Sequence, residues 1–573
     1  MSLPSAVFQR LGLVVPGLAN RPGGSWDVTQ YGLHPQATTT PTAQLVDQTA
    51  ALVHLAYRAY QANAALIFPA GLYWIADWRK LGWSSAGQLV MVSQRWISTQ
   101  GAILRTSQAL NQSEVQWHGF WASGLTFQAP NAPGEKLFGA GSRNLLFEQC
   151  TIQDCAPAFL NGAEEWVTFY GCLFNSTAGY TAQKLGSYGP CVGQIQQTIG
   201  NVHQHFTVDS CSFQFAPHGQ AGSLISLEGS GLIGDYLINN NHLLTNNLPD
   251  YLIDAGIDVE PHQDQPITDV TITNNYIWNT RIYIAGVTNA EIAYNTQYIG
   301  PVAMNPARYP HPYCGNVNTM ACPPPHGPVK RYCNRGKTSE PALGPAILGY
   351  SSWNPGSPTP ASDSISIHNN QITYGPTANI VPAVPFSFGQ GGKIGHLSIT
   401  NNTITQAAGA KSVTWHGALV HPVIAYLEPG TIPGGWGQVT FSGNTIHWAA
   451  QSAAQLVQVN LGQNDQTQIT ITANRVLVQP NATLATLTGG YNKNTDPGAT
   501  ADTSTVNGNS PAVANTTIRT YVPFKGAPPG AGSASAIAAP PWYRQKRVWA
   551  GAAGIGVVGY GVYAWKRRRW PFQ

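Results

Sequence analysis

Apolar residues alternate with Thr, Ser, Asn and Gln in short bursts along most of the chain, and each burst ends on Asn or Gly. "YLINNNHLLTN", "DVTITNNYIWN", "SISIHNNQITY", "HLSITNNTITQ", "QVTFSGNTIHW" and "QITITANRVLV" share this form. In the second of these, a period of two sends Val270 and Ile272 to one face and Thr271 and Thr273 to the other. Asn274 and Asn275 then turn the chain into a second short strand at Ile277–Trp278. A third strand lies between successive units, in "SLISLEGS", "AGIDVEPH", "TRIYIAGV", "PAILGYS", "PFSFGQG", "PVIAYLEP" and "AQLVQVNLG". One such unit cannot bury its apolar face alone, whereas a stack of them can.

Three strands per repeat predict an all-β, single-stranded right-handed parallel β-helix, a solenoid with ~4.8 Å between coils. Earlier units read "NLLFEQCTI", "WVTFYGCLF" and "FTVDSCSF", which puts Cys150, Cys172 and Cys211 where later units have Asn. Buried thiols stacked in a turn are the expectation there. The 60 Gly and 42 Pro of the 573 residues suit a turn-rich β protein with a sizeable core.

Near the start, "WDVTQYG" precedes "TPTAQLVDQTAALVHLAYRAYQA", whose apolar spacing through Leu45, Ala50, Val53, Ala56 and Tyr60 predicts a helix with Thr42 as N-cap. "ALIFPAGLYWI" follows as a strand broken at Pro69-Ala70-Gly71. A helix at this end of the coil would cover its unpaired strand edges. Through "DVTQYG", the helix and "FPAGLYWI" the chain resembles the pectin-lyase-like superfamily, in particular its pectate-lyase/rhamnogalacturonase-epimerase type of N-terminal module. The resemblance spans roughly residues 25–485 and speaks for the fold more than for an activity.

Composition divides the rest. Residues 1–24 form an N-terminal arm that makes a poor secretion signal, and the β-helix occupies 25–485 with a Pro-rich insertion at 300–345. That insertion holds Cys314, Cys322 and Cys333 near His311 and His326, with spacings that match no familiar zinc pattern. Residues 486–541 read as a flexible linker rich in small residues and Pro. Val548–Trp565 then runs 18 residues without a charge, between basic flanks and Trp549, Trp565 and Trp570. At ~1.5 Å per residue this reaches ~27 Å, so 542–573 is expected to be a C-terminal transmembrane helix.

Seven basic and no acidic residues in the last 34 account for the formal charge of +4, leaving 22 basic against 25 acidic residues elsewhere. A mildly acidic body argues against nucleic acid as a partner. The basic flanks weakly prefer a cytoplasmic C-terminus, so the β-helix is expected outside the cytoplasm on a membrane, or on a virion.

Only 9% of residues are charged, yet "YLIDAGIDVEPHQDQPITDV" gathers Asp254, Asp258, Glu260, Asp264 and Asp269. Aligning third strands sets Ile225-Ser226-Leu227-Glu228 beside Ile257-Asp258-Val259-Glu260 and Ile282-Tyr283-Ile284-Ala285. Ser226, Asp258 and Tyr283 then form one outward row, and Glu228 and Glu260 the next. Crowded carboxylates raise the pKa of one member, giving an acid beside a base, or they share a cation such as Ca2+. Arg281 on the next coil could pair with them or hold an anionic sugar, and Tyr283, His262 and Trp278 could shape a saccharide groove. Asp254 and Asp264 read as turn residues, as does Asp269.

"DAGIDVEP" is similar to the Asn-Thr-Asp-Gly region of polygalacturonase-like glycoside hydrolases, whose carboxylates activate water and protonate the leaving oxygen. It departs from that motif at Ala255, no Asp-Asp or Gly-His-Gly follows, and "TRIYI" matches the family's Arg-Ile-Lys only through Arg281. Two functions stay open at this level. One is a lyase or glycoside hydrolase acting on an acidic polysaccharide through Asp258, Glu260, Glu228 and Arg281. The other is a non-catalytic glycan-binding adhesin or virion spike resembling phage tailspikes, for which a homotrimer is a candidate assembly. A third, weaker reading has the carboxylates bind Ca2+ only to steady the coils.

Overall fold

The computed structural model describes coils between residues 23 and 515; residues 1–22, 300–345 and 516–573, and loops including 107–114, 130–140, 154–164, 177–191 and 245–254, lie outside the described residues. Almost every strand belongs to one of three sheets, of 16, 13 and 10 strands. From Val192 to Asn507 these sheets are visited in a fixed cycle, third sheet, first sheet, second sheet, and the strands pair in parallel with their counterparts on adjacent coils. This is a parallel β-helix, as the three-strand repeat predicts. Among the described residues, antiparallel strand pairs are Trp83–Ser85 against Gln88–Ile97 and Val413–Trp415 against Ala418–Val420, with a single antiparallel bridge between Gln36 and Leu72.

Inward positions stack on themselves from coil to coil. In the first sheet Ile238, Ile272, Ile292, Ile367 and Ile399 stand in register, each under 1% exposed, and Phe441 and Ile471 continue the row. Earlier coils fill the same interior with rings, including Phe147 over Phe169 at 5.0 Å and Phe174 over Phe213 at 4.6 Å. Identical shapes in consecutive layers give close packing without a new solution at each coil.

The Asn pairs divide the work of the turn between first and second sheets. The first residue of each pair takes a left-handed backbone, as at Asn240, Asn274, Asn369 and Asn401, with φ of 53–57°. Asn tolerates this conformation because its short polar side chain bonds locally. The second residue is buried: Asn241, Asn275, Asn295, Asn370, Asn402, Asn444 and Asn474 are at most 1% exposed. From Asn275 onward each accepts at Oδ1 from the backbone N–H and the Nδ2 of its predecessor, as Asn275 does from Asn241 at 3.0 and 2.9 Å. Each Nδ2 also donates to a strand carbonyl, as Asn275 does to Ile238 at 2.9 Å. The ladder reaches Asn509.

Toward the N-terminus the ladder passes into cysteine. Cys211 N donates to Asn241 Oδ1 at 2.9 Å, and Cys172 N to Cys211 Sγ at 3.4 Å. Cys172 Sγ in turn donates to Phe147 O at 3.2 Å. Cys150, Cys172 and Cys211 are buried free thiols, and burial pushes Cys150 and Cys172 well above the usual thiol range. The stacked thiols expected from the sequence are present.

The capping helix, α1, spans Thr49–Ala62 and buries Thr49, Leu52, Leu55, Ala56 and Ala59 against the first coils. Its start differs from the expected Thr42, which instead opens a separate 3-10 turn at Thr42–Gln44. Asp47 decides the boundary: its Oδ1 accepts from Thr49 N at 2.9 Å, Thr49 Oγ1 at 2.5 Å and Ala76 N at 3.1 Å. Gln94 Nε2 ties the helix to the coil by donating to Ala56 O at 3.0 Å.

The coil also extends past 485, where composition suggested the linker would begin. Leu487–Lys493, Thr505–Asn507 and Ala514–Asn515 add strands to the third and first sheets. At the mouth of the insertion 300–345, Gln297 is fully buried and donates Nε2 to Ala346 O at 3.0 Å, which joins the departing strand to the returning one. The insertion's Cys and His residues lie outside the described residues, as does 542–573. No helix among the described residues is long and apolar enough to cross a membrane.

Candidate functional site

The third sheet holds the acidic strand. Ser223–Gly229, Ala255–Pro261, Ile282–Ala285 and Ile347–Tyr350 follow one another in parallel register. Ile225, Leu227, Ile257, Val259, Ile282 and Ile284 point into the core, each no more than 1% exposed. Alternation therefore turns Asp258 and Tyr283 to the other face; in the register Ser226 stands beside Asp258 and Asp258 beside Tyr283. Glu228 and Glu260 also share a register position.

The structure corrects one part of the expectation. Asp258 and Tyr283 are only 2% and 3% exposed, so this stretch of the outer face is covered, not open to solvent. A carboxylate this far from water must be paired, hydrogen-bonded or protonated. Arg281 sits just before its strand, partly buried, and its carbonyl accepts from Gly256 N at 2.8 Å and Ile257 N at 3.3 Å.

Gly256 itself is a packing glycine. A Cβ there would meet Thr280 Cγ2 at 2.5 Å, so the glycine in "DAGID" is required by the close approach of the next coil. That gives the Gly shared with the polygalacturonase-like motif a structural cause independent of catalysis.

Trp278 stands apart. It lies on the second sheet at Tyr276–Trp278, half-buried, with its ring 4.1 Å from that of Tyr298. His262, Asp254 and Asp264 lie outside the described residues. Asp269 belongs to the strand Ile267–Thr273, with φ +50°, so it marks a corner within the first sheet. The fold thus brings Asp258, Tyr283, Arg281 and the Glu228/Glu260 positions onto one sheet and leaves Trp278 on another. Among the described residues no group of three His, Cys, Asp or Glu converges as a metal would require; the side chains of Glu228 and Glu260 are not among them.

No protein-family model and no curated protein sequence matches the chain. Solved structures with a similar course include the Streptococcus pneumoniae surface protein and adhesin PfbA, 11% identical, with a TM-score of 0.43 over 81% of this chain and 99% of that one. A second crystal structure of PfbA is also 11% identical, at 0.42 over 81% and 93%. The Agl-KA catalytic domain is 14% identical, at 0.37 over 81% and 70%. At these values the likeness carries no argument about activity, and the β-helix rests on the strand ladders themselves.

A second cluster, which the sequence reading passed over, lies on the first sheet. At Ser93, Gly119, Asn144, Trp166, His205, Asp235 and Asp269 the strands take a left-handed residue, with φ of 50–69°, on seven successive coils. The register skips this position throughout, so a rib of side chains leaves the sheet there. Its one sequence signal is positional: in "WVTFYGC", "HFTVDSC" and "DYLINNN" the residue six places before the buried ladder member is the rib residue.

Proposed function

We propose that the chain is a polysaccharide-processing β-helix whose third sheet receives an acidic glycan, with Glu228 and Glu260 as its carboxylate pair. The observation that supports this most is their shared register position on consecutive coils. Strands lie ~4.8 Å apart, so two acids occupy neighbouring register positions along an otherwise charge-poor sheet. In hydrolysis the first protonates the glycosidic oxygen and the second attacks or activates water. In elimination one of them, ionised, removes the proton beside a uronate, and Arg281 steadies the resulting charge. Asp258 and Tyr283 support the strand from beneath their cover. Residues 542–573 anchor the protein, with the coil on the outer side of a membrane or on a virion surface.

Burial of Asp258 and Tyr283 favours a second reading, in which the same face binds a glycan without cleaving it. Full-length protein incubated with acidic and neutral polysaccharides, assayed for reducing ends and unsaturated products, separates the two. E260Q and E228Q should each lower product formation by 100-fold or more while the urea midpoint stays put. Cleavage that persists unchanged in E260Q would sink the assignment, and binding without products would select the second reading.

A further inference from the structure

The rib on the first sheet contains residues the fold does not ask for. A left-handed backbone suits Gly and Asn, which occupy it at Gly119 and Asn144, and is unfavourable for bulky side chains. Trp166 nonetheless adopts it, with φ of +58°, and His205, a residue type that enters this region more readily, follows one coil on at +62°. Backbone strain kept at Trp166, where a simpler residue could stand, points to a use for its side chain.

Those side chains form a connected set. The rings of Trp166 and His205 stack 3.6 Å apart, 18° from parallel. His205 Nδ1 meets Asp235 Oδ2 at 2.5 Å, with the two side chains 28% and 40% exposed. One coil further, Asp269 Oδ1 accepts from Asn289 Nδ2 at 3.1 Å on the exposed surface. A carboxylate on Nδ1 fixes the ring and directs Nε2 to act as an acceptor while the imidazole is neutral.

We propose that Trp166, His205 and Asp235 are a glycan-binding site, distinct from the acidic strand of the third sheet, that takes neutral, hydroxyl-rich sugar units. The rib offers acceptors at His205 Nε2 and on the carboxylates of Asp235 and Asp269, which match hydroxyl donors and repel uronates. Its groups recur at ~4.8 Å per coil, so a linear polymer lying along the solenoid meets one after another. The inference rests on the proposed function only for the ligand being a glycan.

The test is affinity electrophoresis of the full chain through gels containing dextran, galactan or xylan, with polygalacturonate and alginate as acidic arms. Wild-type protein is expected to be retarded by a neutral polysaccharide. W166N and H205N place at these positions the residue that Asn144 already provides, so their unfolding midpoints should match or exceed wild type while neutral-glycan affinity falls at least tenfold. D235N, which weakens the hold on His205, should lose affinity by a smaller factor. Retardation unchanged in W166N and H205N, no retardation of wild type by any neutral polysaccharide, or a lowered midpoint in both variants each overturns the site. Acidic-glycan binding and cleavage are scored separately on the Glu228 and Glu260 variants, so failure of one site is read apart from failure of the other.

Discussion

Replacing Asn402 by Ala removes a rung from the buried ladder. Asn402 Nδ2 donates to Ile367 O and Asn444 Oδ1, both at 3.0 Å, and its Oδ1 accepts from Asn370 N and Asn370 Nδ2, both at 2.9 Å. These four hydrogen bonds contribute a net ~1 kcal/mol each, and the Asn370 N–H is left buried without its acceptor. The expected loss is about 3–5 kcal/mol, a large share of a typical domain's stability. The neighbouring variant N401G isolates the ladder from the turn. Asn401 is exposed with φ +55°, and Gly443 holds the equivalent place one coil on at +66°, so Gly should change stability by less than about 1 kcal/mol. Urea unfolding of both variants measures this as a shift in midpoint at constant slope. Equal losses in N401G and N402A, or a loss below about 1 kcal/mol in N402A, would refute the ladder as the support of these turns.

Cys211→Asn should hold or raise stability, because an amide can continue the Asn241 ladder by one rung, and a clear drop in the urea midpoint would contradict that. Gly256→Ala should cost about 1–3 kcal/mol through the contact with Thr280 Cγ2, and T280A in the same chain should restore most of it. Burial alone would raise the Asp47 pKa, but the hydrogen bonds from Thr49 and Ala76 and the charge of Lys80 outweigh it and hold the carboxyl below its usual range. Its stabilising effect is therefore complete above a pH of about 4 and is lost as pH falls through the lowered folded value, so the gap in midpoint between wild type and D47N should close in acid. A gap that stays constant from neutral pH down through pH 3 would show the carboxylate plays no such part.

The repeat was legible because two independent demands fall on the same residue type. The exposed turn position needs a left-handed backbone and the buried one needs a donor and an acceptor, and Asn meets both, so "NN" recurs at Asn240-Asn241, Asn274-Asn275, Asn369-Asn370 and Asn401-Asn402. Register on the third sheet was legible for the same reason: alternation sets Asp258 beside Tyr283 whatever surrounds them. Their burial was not, since alternation fixes which face a side chain takes and not what lies over that face. The helix start was misplaced because Thr42 and Thr49 are both acceptable near an N-terminus, and the choice was made by Asp47 reaching Ala76, a contact between distant residues.

The rib was invisible for the opposite reason to the Asn turns. Local rules expect Gly, Asn, Asp or His where the backbone turns left-handed, and Trp166 breaks that rule, so no propensity argument could find it. A solenoid makes such breaks interpretable in a way a less regular fold does not. Every coil supplies a control for its neighbours: Gly119 and Asn144 show what the backbone needs at this position, and the ring of Trp166 is what goes beyond it. Sequence and fold disagree most where a side chain is kept against its backbone's preference, and in a repeated structure that disagreement can be located residue by residue.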